Sequence, residues 1–184
     1  MKSRGKRNRI EPLVAGPVPP GVARACKRMA VIDLSGTLAL VDEIMATNPD
    51  FLRCALSMTH AGVSHAKVEA GVRVACFLEL CHRELKRRPM PRVTEEEVGR
   101  HYEKVCRNFG ALSEGLDPDA AVDPVRNGLL KGQKQLHVVA WVFHMLGDAG
   151  VMEMRGQSDV EVVITCFALL SVYNAAFQPG ASGV

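Results

Sequence analysis

The sequence predicts an all-α fold: a single helical domain of five to seven helices, preceded by an extended, basic and proline-rich N-terminal arm. The 184 residues are 47% hydrophobic, which is enough for one buried core. Apolar residues recur at helical spacings of three and four from residue 22 onward. Five of the first nine residues are cationic, and four prolines follow before residue 22. We therefore assign residues 1–21 to a flexible arm, 22–177 to the helical core domain and 178–184 to a mobile tail.

The arm differs in charge from the rest of the chain. Residues 1–30 contain eight Lys or Arg against one acidic residue, a net +7, whereas residues 31–184 contain fifteen against nineteen, a net −4. The first five cations are Lys2, Arg4, Lys6, Arg7 and Arg9. Such a block stays solvated until it meets a polyanion or an acidic surface, although it is also typical of a solubility tail or a localisation signal. Prolines keep residues 11–21 extended, so this part can reach across a neighbouring molecule.

The first helices are predicted from an apolar stripe and a proline signal. One or two helices cover residues 22–46, with a stripe formed by Leu34, Leu38, Val41, Ile44 and Met45. The pair Asn48-Pro49 predicts the start of the next helix, because Asn caps free amides and proline suits the first helical position. That helix runs to about Thr59, and Gly62 can end it in the left-handed conformation.

The longest helix is predicted to open at Ser64 and to end before Pro89. Its last turn contains Lys86, Arg87 and Arg88, whose charges complement the carbonyl end of the helix dipole. The following helix begins with a capping box over residues 94–97 (Thr-Glu-Glu-Glu). Its predicted buried stripe consists of Val98, Tyr102, Val105, Phe109 and Leu112.

The last third of the chain begins with a predicted loop over residues 113–128. A helix over about 131–146 follows, and its predicted buried residues are Leu136, Val139, Ala140, Phe143 and Leu146. Residues 160–165 are β-branched enough for a strand. However, residues 158–161 (Ser-Asp-Val-Glu) form a second capping box, and apolar residues continue to Phe177. We therefore predict a buried helix in this segment.

Composition argues against a membrane or secreted protein. No apolar run reaches the roughly 18 residues that a membrane-spanning helix needs. Glu11 and a run of prolines stand where the apolar part of a signal peptide would follow the N-terminal charges. Six scattered cysteines indicate buried thiols in a reducing compartment. Cys76 and Cys81 are five residues apart on a helix and so point in different directions, and we predict neither a metal site nor a cofactor.

Residues 31–38 (Val-Ile-Asp-Leu-Ser-Gly-Thr-Leu) offer one enzymatic interpretation. They resemble the nucleophile loop of haloacid-dehalogenase-like phosphatases, with Asp33 as the nucleophile and Asp148 as the magnesium-binding acid that this resemblance implies. The parallel strands of such enzymes are not apparent in the sequence. The one strand candidate that ends in Thr, at Thr165, comes after Asp148, which is the wrong order. A phosphatase is the second alternative.

A winged-helix DNA-binding regulator is the first alternative. Residues 133–146 would form its recognition helix, and residues 151–155 and 160–165 would form the hairpin of the wing. The proposed recognition helix has an apolar middle, with Lys131 and Lys134 as its cations. The second capping box opposes a strand at residues 160–165.

Three motifs, in their order and spacing, carry a resemblance to a virus family. Residues 61–64 (Ala-Gly-Val-Ser) precede a helix that runs through residues 77–82 (Phe-Leu-Glu-Leu-Cys-His). Residues 105–109 (Val-Cys-Arg-Asn-Phe) end the next helix, and residues 139–144 (Val-Ala-Trp-Val-Phe-His) form an aromatic helix some thirty residues later. The order resembles the coat proteins of flexible filamentous plant viruses, of the potexvirus and alphaflexivirus type. His144 stands where that family has an aspartate.

The resemblance implies an all-helical coat that stacks helically through flexible arms and holds genomic RNA in a continuous groove. We accordingly predict a structural coat or nucleocapsid protein, located in the virion and the host cytoplasm, that acts by binding and not by catalysis. Its predicted partners are single-stranded RNA and neighbouring copies of itself, reached through the N-terminal arm, with no membrane involved. The predicted RNA-binding residues are Arg107, Lys134 and Arg83, together with Lys2, Arg4, Lys6, Arg7 and Arg9. Aromatic residues make up only 5% of the chain, so phosphate contacts and not base stacking should dominate.

Overall fold

The computed structural model describes residues 16–113 and 135–177, and all regular structure in these ranges is helical. They contain seven α-helices, one short 3₁₀-helix and no strand, which confirms the all-α prediction for the described residues. The basic part of the arm, residues 114–134 with Lys134, and the tail over 178–184 lie outside the described residues.

Local signals in the sequence mark many of the helix bounds in the described residues. In chain order the helices are α1 (Pro20–Val31), α2 (Leu34–Thr47), α3 (Pro49–Leu56), the 3₁₀-helix (Ser57–Thr59), α4 (His65–Lys86), α5 (Glu95–Ser113), α6 (Leu136–Asp148) and α7 (Gln157–Ala175). The predicted signals mark many of these bounds correctly. Pro49 opens α3, Gly62 has the expected positive φ of 73°, and α4 begins after Ser64. The capping box is also confirmed, because Thr94 N donates to Glu97 Oε2 at 2.8 Å.

Two helices form the centre of the molecule. Every residue of α4 from Val74 to His82 is buried, since α1, α2, α3, α6 and α7 surround this stretch. The second central helix, α7, packs mainly against α5 and α4. By length and composition α7 could also cross a membrane, but 67% of its apolar window is buried inside the molecule. That burial is typical of the core helix of a globular fold.

The predicted buried face of α2 is wrong in part. Leu34 and Leu38 were expected in the core, yet they are 76% and 55% exposed. The inner face of α2 is formed instead by Leu40 and Ile44, which are buried. The helix is apolar on more than one side, so its pattern alone does not decide which side meets the core.

The C-terminal segment settles the choice between strand and helix. Residues 160–165 lie inside α7, so the wing of the winged-helix alternative is absent from this segment. The predicted second capping box is wrong in detail. The helix begins at Gln157, and Asp159 turns inward to pair with Lys67 at 2.6 Å.

Asp33 has a structural role that differs from the phosphatase interpretation. It is the N-cap of α2, and its Oδ1 accepts a hydrogen bond from Gly36 N at 2.8 Å. Residues 20–31, which precede it, form a helix and not the strand that would carry a phosphatase nucleophile. The sequence motif is thus accounted for by helix capping.

Candidate nucleic-acid interface

One face of α5 carries three positive charges. Arg100, Lys104 and Arg107 follow one another at spacings of four and three, which places them on one side of the helix over a length of about 10 Å. All three are exposed, whereas Val98 and Val105 are buried on the opposite side. Within the described part of the chain, no ion pair or side-chain hydrogen bond engages any of the three. None of their charges is therefore paired with an acidic side chain of the described residues.

Arg107 lies where the sequence places it, off the buried face of its helix. A solvated arginine at this position could instead form an ion pair with Glu103, four residues earlier on the same helix. No such pair occurs among the described residues. A contact between Arg107 and RNA stays a prediction.

Arg83, by contrast, is already engaged inside the protein. Its guanidinium contacts Glu79 Oε1 at 2.6 Å and Glu43 Oε2 at 2.5 Å. Glu79 is buried, so removing Arg83 from it would leave a carboxylate without its counter-charge. Arg83 holds α2 against α4, and we do not include it in the interface proposed below.

The connection between α4 and α5 carries Arg87, Arg88 and Arg92. Although it has no regular structure, its backbone is held by three buried polar side chains. These are Asn48, Glu79 and His82, which are 1%, 1% and 0% exposed. Buried polar groups are costly unless they are hydrogen-bonded, and most of the polar atoms here find their partners in this segment.

Asn48 binds the backbone on both sides of Arg92. Its Nδ2 donates to Pro91 O at 3.0 Å, and its Oδ1 accepts from Val93 N at 3.1 Å. Sequence analysis assigned Asn48 to capping α3, but its side chain makes no cap hydrogen bond. The amide instead fixes a segment 43 residues away.

Glu79 and His82 hold the first half of the same connection. Both carboxylate oxygens of Glu79 accept from Met90 N, at 3.3 and 3.4 Å. His82 Nδ1 lies 3.1 Å from Arg88 O. A carbonyl oxygen can only accept a hydrogen bond, so Nδ1 carries the ring proton and Nε2 is unprotonated. Burial lowers the pKa of His82, which keeps the ring neutral near pH 7.

Three cations, one each from α4, the connection and α5, lie near the end of α7. Lys86 Nζ lies 4.6 Å from the ring centroid of Phe177, just beyond that helix. Arg92 and Arg100 line a cavity of about 120 Å³ together with residues of the last turn of α7. We call these three, together with the exposed Arg88 of the connection and the exposed Lys104 and Arg107 further along α5, the basic surface.

The opposite side of α5 is acidic. A cavity of about 440 Å³ lies between α3, α5 and α7. Four carboxylates line it: Asp50, Glu95, Glu103 and Glu161. Tyr102 donates to Glu161 Oε1 at 2.7 Å across this cavity. Helix α5 therefore separates a basic surface from an acidic cavity, and a polyanion would be attracted to one side of the molecule.

The thiols are poorly suited to nucleophilic chemistry. All six cysteines are free; Cys76, Cys81 and Cys166 are buried, as predicted, and the other three are half-buried. Burial raises the pKa of Cys54 to about 12, with Glu161 adding to the effect, and that of Cys76 to about 11. Both stay protonated near pH 7. In residues 16–113 and 135–177, no group of three His, Cys, Asp or Glu side chains is placed to hold a metal ion.

Comparison with other proteins gives no family assignment. No protein-family model, curated protein or solved structure matches the chain significantly. The resemblance to filamentous-virus coats therefore remains a prediction from the sequence motifs.

The sequence motifs predict one residue of the basic surface, Arg107, and none of its other five cations. Arg100 and Lys104 have a usable signal in the sequence, because they lie opposite the predicted apolar stripe of α5. Arg92 has none, since its position depends on Asn48, which is distant in the chain. Lys134 and the arm cations Lys2, Arg4, Lys6, Arg7 and Arg9 lie outside the described residues.

Proposed function

We propose that this protein is a structural RNA-binding protein of the coat or nucleocapsid type, which polymerises around single-stranded RNA and acts without catalysis. The observation that carries the proposal is the basic surface. Its cations are free of internal acidic partners in the described residues, and the connection that carries Arg88 and Arg92 is fixed by buried side chains. Cations arranged in this way bind phosphates without reading the base sequence, which a coat protein requires.

The aromatic side chains support a phosphate-based mode of binding. All nine rings lie within the described residues, and none of them is exposed. Trp141, for example, packs against Phe77 at a centroid distance of 6.1 Å. Proteins that stack bases on aromatic rings need those rings at the surface. The RNA backbone is therefore the expected ligand, with the arm cations adding further charge.

Self-association is the second part of the proposal. Val31, Leu34 and Leu38 are 81%, 76% and 55% exposed and form an apolar face where α1 meets α2. Exposed apolar patches of this kind mark interaction sites. The apolar and proline-rich half of the arm, residues 10–18, is the segment that we expect to cover this face on a neighbouring copy. Electron microscopy of the full chain with and without RNA tests polymerisation directly.

RNA binding is tested by neutralising one face of α5. The triple variant Arg100→Gln, Lys104→Gln and Arg107→Gln should bind a single-stranded 20-mer more weakly. Each phosphate contact contributes about −0.7 to the slope of log affinity against log salt concentration, so the slope should become shallower by about 2. Fluorescence anisotropy over a salt series measures both quantities.

A matched control variant removes three positive charges from a different part of the surface. Lys27, Arg28 and Arg73 are exposed, and no ion pair engages them in the part of the chain that the structure describes. Their triple Gln variant should retain most of the wild-type slope. Equal losses in the two triple variants would show that overall charge, and not the α5 face, governs binding, and the proposed interface would then be wrong.

A further inference from the structure

The small cavity at the end of α7 has the features of a binding site for a single anionic group. It lies between the connection that precedes α5, the first turns of α5 and the last turn of α7. Arg92, Arg100 and His101 line it on one side, and Val172 and Ala176 form part of its apolar wall. The volume of about 120 Å³ exceeds what one water needs, roughly 10–15 Å³ by the same kind of measure, several times over. A phosphate-sized group therefore fits.

The backbone on both sides of Arg92 and the ring of His101 are held in place before any ligand arrives. Asn48 fixes the backbone on both sides of Arg92, at 3.0 and 3.1 Å. His101 Nδ1 lies 2.8 Å from Ser171 Oγ, which orients the imidazole against α7. Arg100 projects from a helix. A backbone and a ring that are already fixed lose little freedom on binding, which favours a small ligand.

The charge balance of the cavity favours an anion. Among the described residues that line it, Glu97 is the one acidic residue, and its carboxylate already accepts hydrogen bonds from Thr94 N and Thr94 Oγ1, at 2.8 and 3.3 Å. The end of α7 contributes roughly half a negative charge through its free carbonyl groups. Two guanidinium groups outweigh both effects. Burial, with the charges of Lys104 and Arg100, lowers the pKa of His101, so the ring contributes hydrogen bonding and not charge at pH 7.

We infer that this cavity binds a phosphate group through Arg92 and Arg100, with His101 as a third polar contact. A planar guanidinium presents paired N–H donors that match phosphate oxygens, and apolar walls strengthen such bonds by excluding water. In the proposed function the phosphate belongs to the RNA backbone, and to that extent the inference rests on it. A free phosphate or a phosphorylated metabolite offers the same chemistry, and the experiment separates these sources.

The first part of the experiment uses inorganic phosphate and the full-length protein. Thermal melting is followed with increasing phosphate against sodium chloride at equal ionic strength, and the imidazole resonances of His101 are followed by NMR. Phosphate should raise the melting temperature and shift His101 in the wild type and in Lys27→Gln, because Lys27 lies on α1 and outside the cavity lining. Arg92→Gln and Arg100→Gln should lose both responses, whereas Arg92→Lys should retain part of them because it keeps the charge.

The second part of the experiment measures binding of a single-stranded RNA 10-mer by the same variants. Losing one charge-assisted contact should lower the affinity of Arg92→Gln about tenfold, whereas Lys27→Gln should stay close to the wild type. If phosphate neither stabilises the wild type nor shifts His101, the cavity is not a phosphate site, even if the α5 triple variant still loses RNA binding. If phosphate binds through Arg92 but RNA does not bind, the cavity is a site for a free phosphate group, and the proposed RNA-binding function is wrong.

Discussion

Arg87 has a backbone conformation that residues with a side chain disfavour. It ends α4 in the left-handed conformation with a φ of 58°, where glycine is the usual residue. A side chain with a Cβ in this region costs about 1 kcal/mol or more compared with glycine. Its charge follows Lys86 and precedes Arg88, both in the basic surface. Local stability would favour glycine here, whereas a polyanion-binding surface favours arginine.

Two substitutions separate the backbone strain at Arg87 from the contribution of its charge to RNA binding. Arg87→Gly and Arg87→Ala remove the same charge, but only the glycine variant relieves the strain. We expect Arg87→Gly to be more stable than Arg87→Ala by about 1 kcal/mol, as measured by urea unfolding. Both variants should bind RNA more weakly than the wild type by the same few-fold factor. Equal stabilities of the two variants would mean that Arg87 is not strained.

At the scale of elements, the helices could be predicted but their orientation could not. Local signals such as Pro49 and Gly62 fix where helices begin and end, because they act on backbone within a few residues. The inward side of α2 depends on which neighbours it meets, so the exposure of Leu34 and Leu38 was not foreseen. The connection before α5 depends on Asn48, and no local rule links that residue to Pro91 or Val93.

The element-scale prediction concerns this connection. Asn48→Ala removes two hydrogen bonds and leaves Pro91 O and Val93 N without those partners. We expect a loss of about 2–3 kcal/mol in stability, since each lost bond costs roughly 1 kcal/mol and unmet buried groups add to it. The affinity for RNA should fall several-fold although Asn48 itself is buried, because Arg92 loses its fixed position.

A control with a similar loss of stability makes this result specific. Leu52→Ala removes a fully buried side chain from α3 and should cost about 2–5 kcal/mol. It leaves the hydrogen bonds of Asn48 in place, so its RNA affinity at a temperature where it is folded should match the wild type. If Leu52→Ala weakens RNA binding as much as Asn48→Ala does, the connection has no special role.

At the scale of the whole molecule, positive and negative side chains lie on two different sides. The sequence shows this separation only in part. The basic arm is visible from composition alone. The basic surface and the acidic cavity lie on opposite sides of the same helix, α5, and residues such as Lys104 and Glu103 are neighbours in sequence. Only helical geometry and the position of the core separate them, which is why the net charge of residues 31–184 conceals a basic surface.

The whole-molecule prediction concerns acid sensitivity. His82 and His101 both have a lowered pKa, with burial as the main cause in each. In the unfolded chain their pKa returns to about 6.5. Between that value and the lower pKa of the folded state, the unfolded chain binds more protons, so the free energy of unfolding falls as the pH falls. We expect the melting temperature to be nearly constant above pH 7 and to decrease from about pH 6.5 towards pH 5.

The cause can be assigned by substitution. Glutamine cannot titrate in this range but keeps an amide donor that can reach Arg88 O from position 82 and Ser171 from position 101. The double variant His82→Gln and His101→Gln should therefore be less stable at pH 7.5 yet show a much flatter pH profile between 5 and 7. A matched double variant at the exposed His60 and His65 should keep the wild-type slope. A wild-type melting temperature that does not change between pH 7 and pH 5 would contradict the prediction, as would an unchanged slope in the His82 and His101 variant.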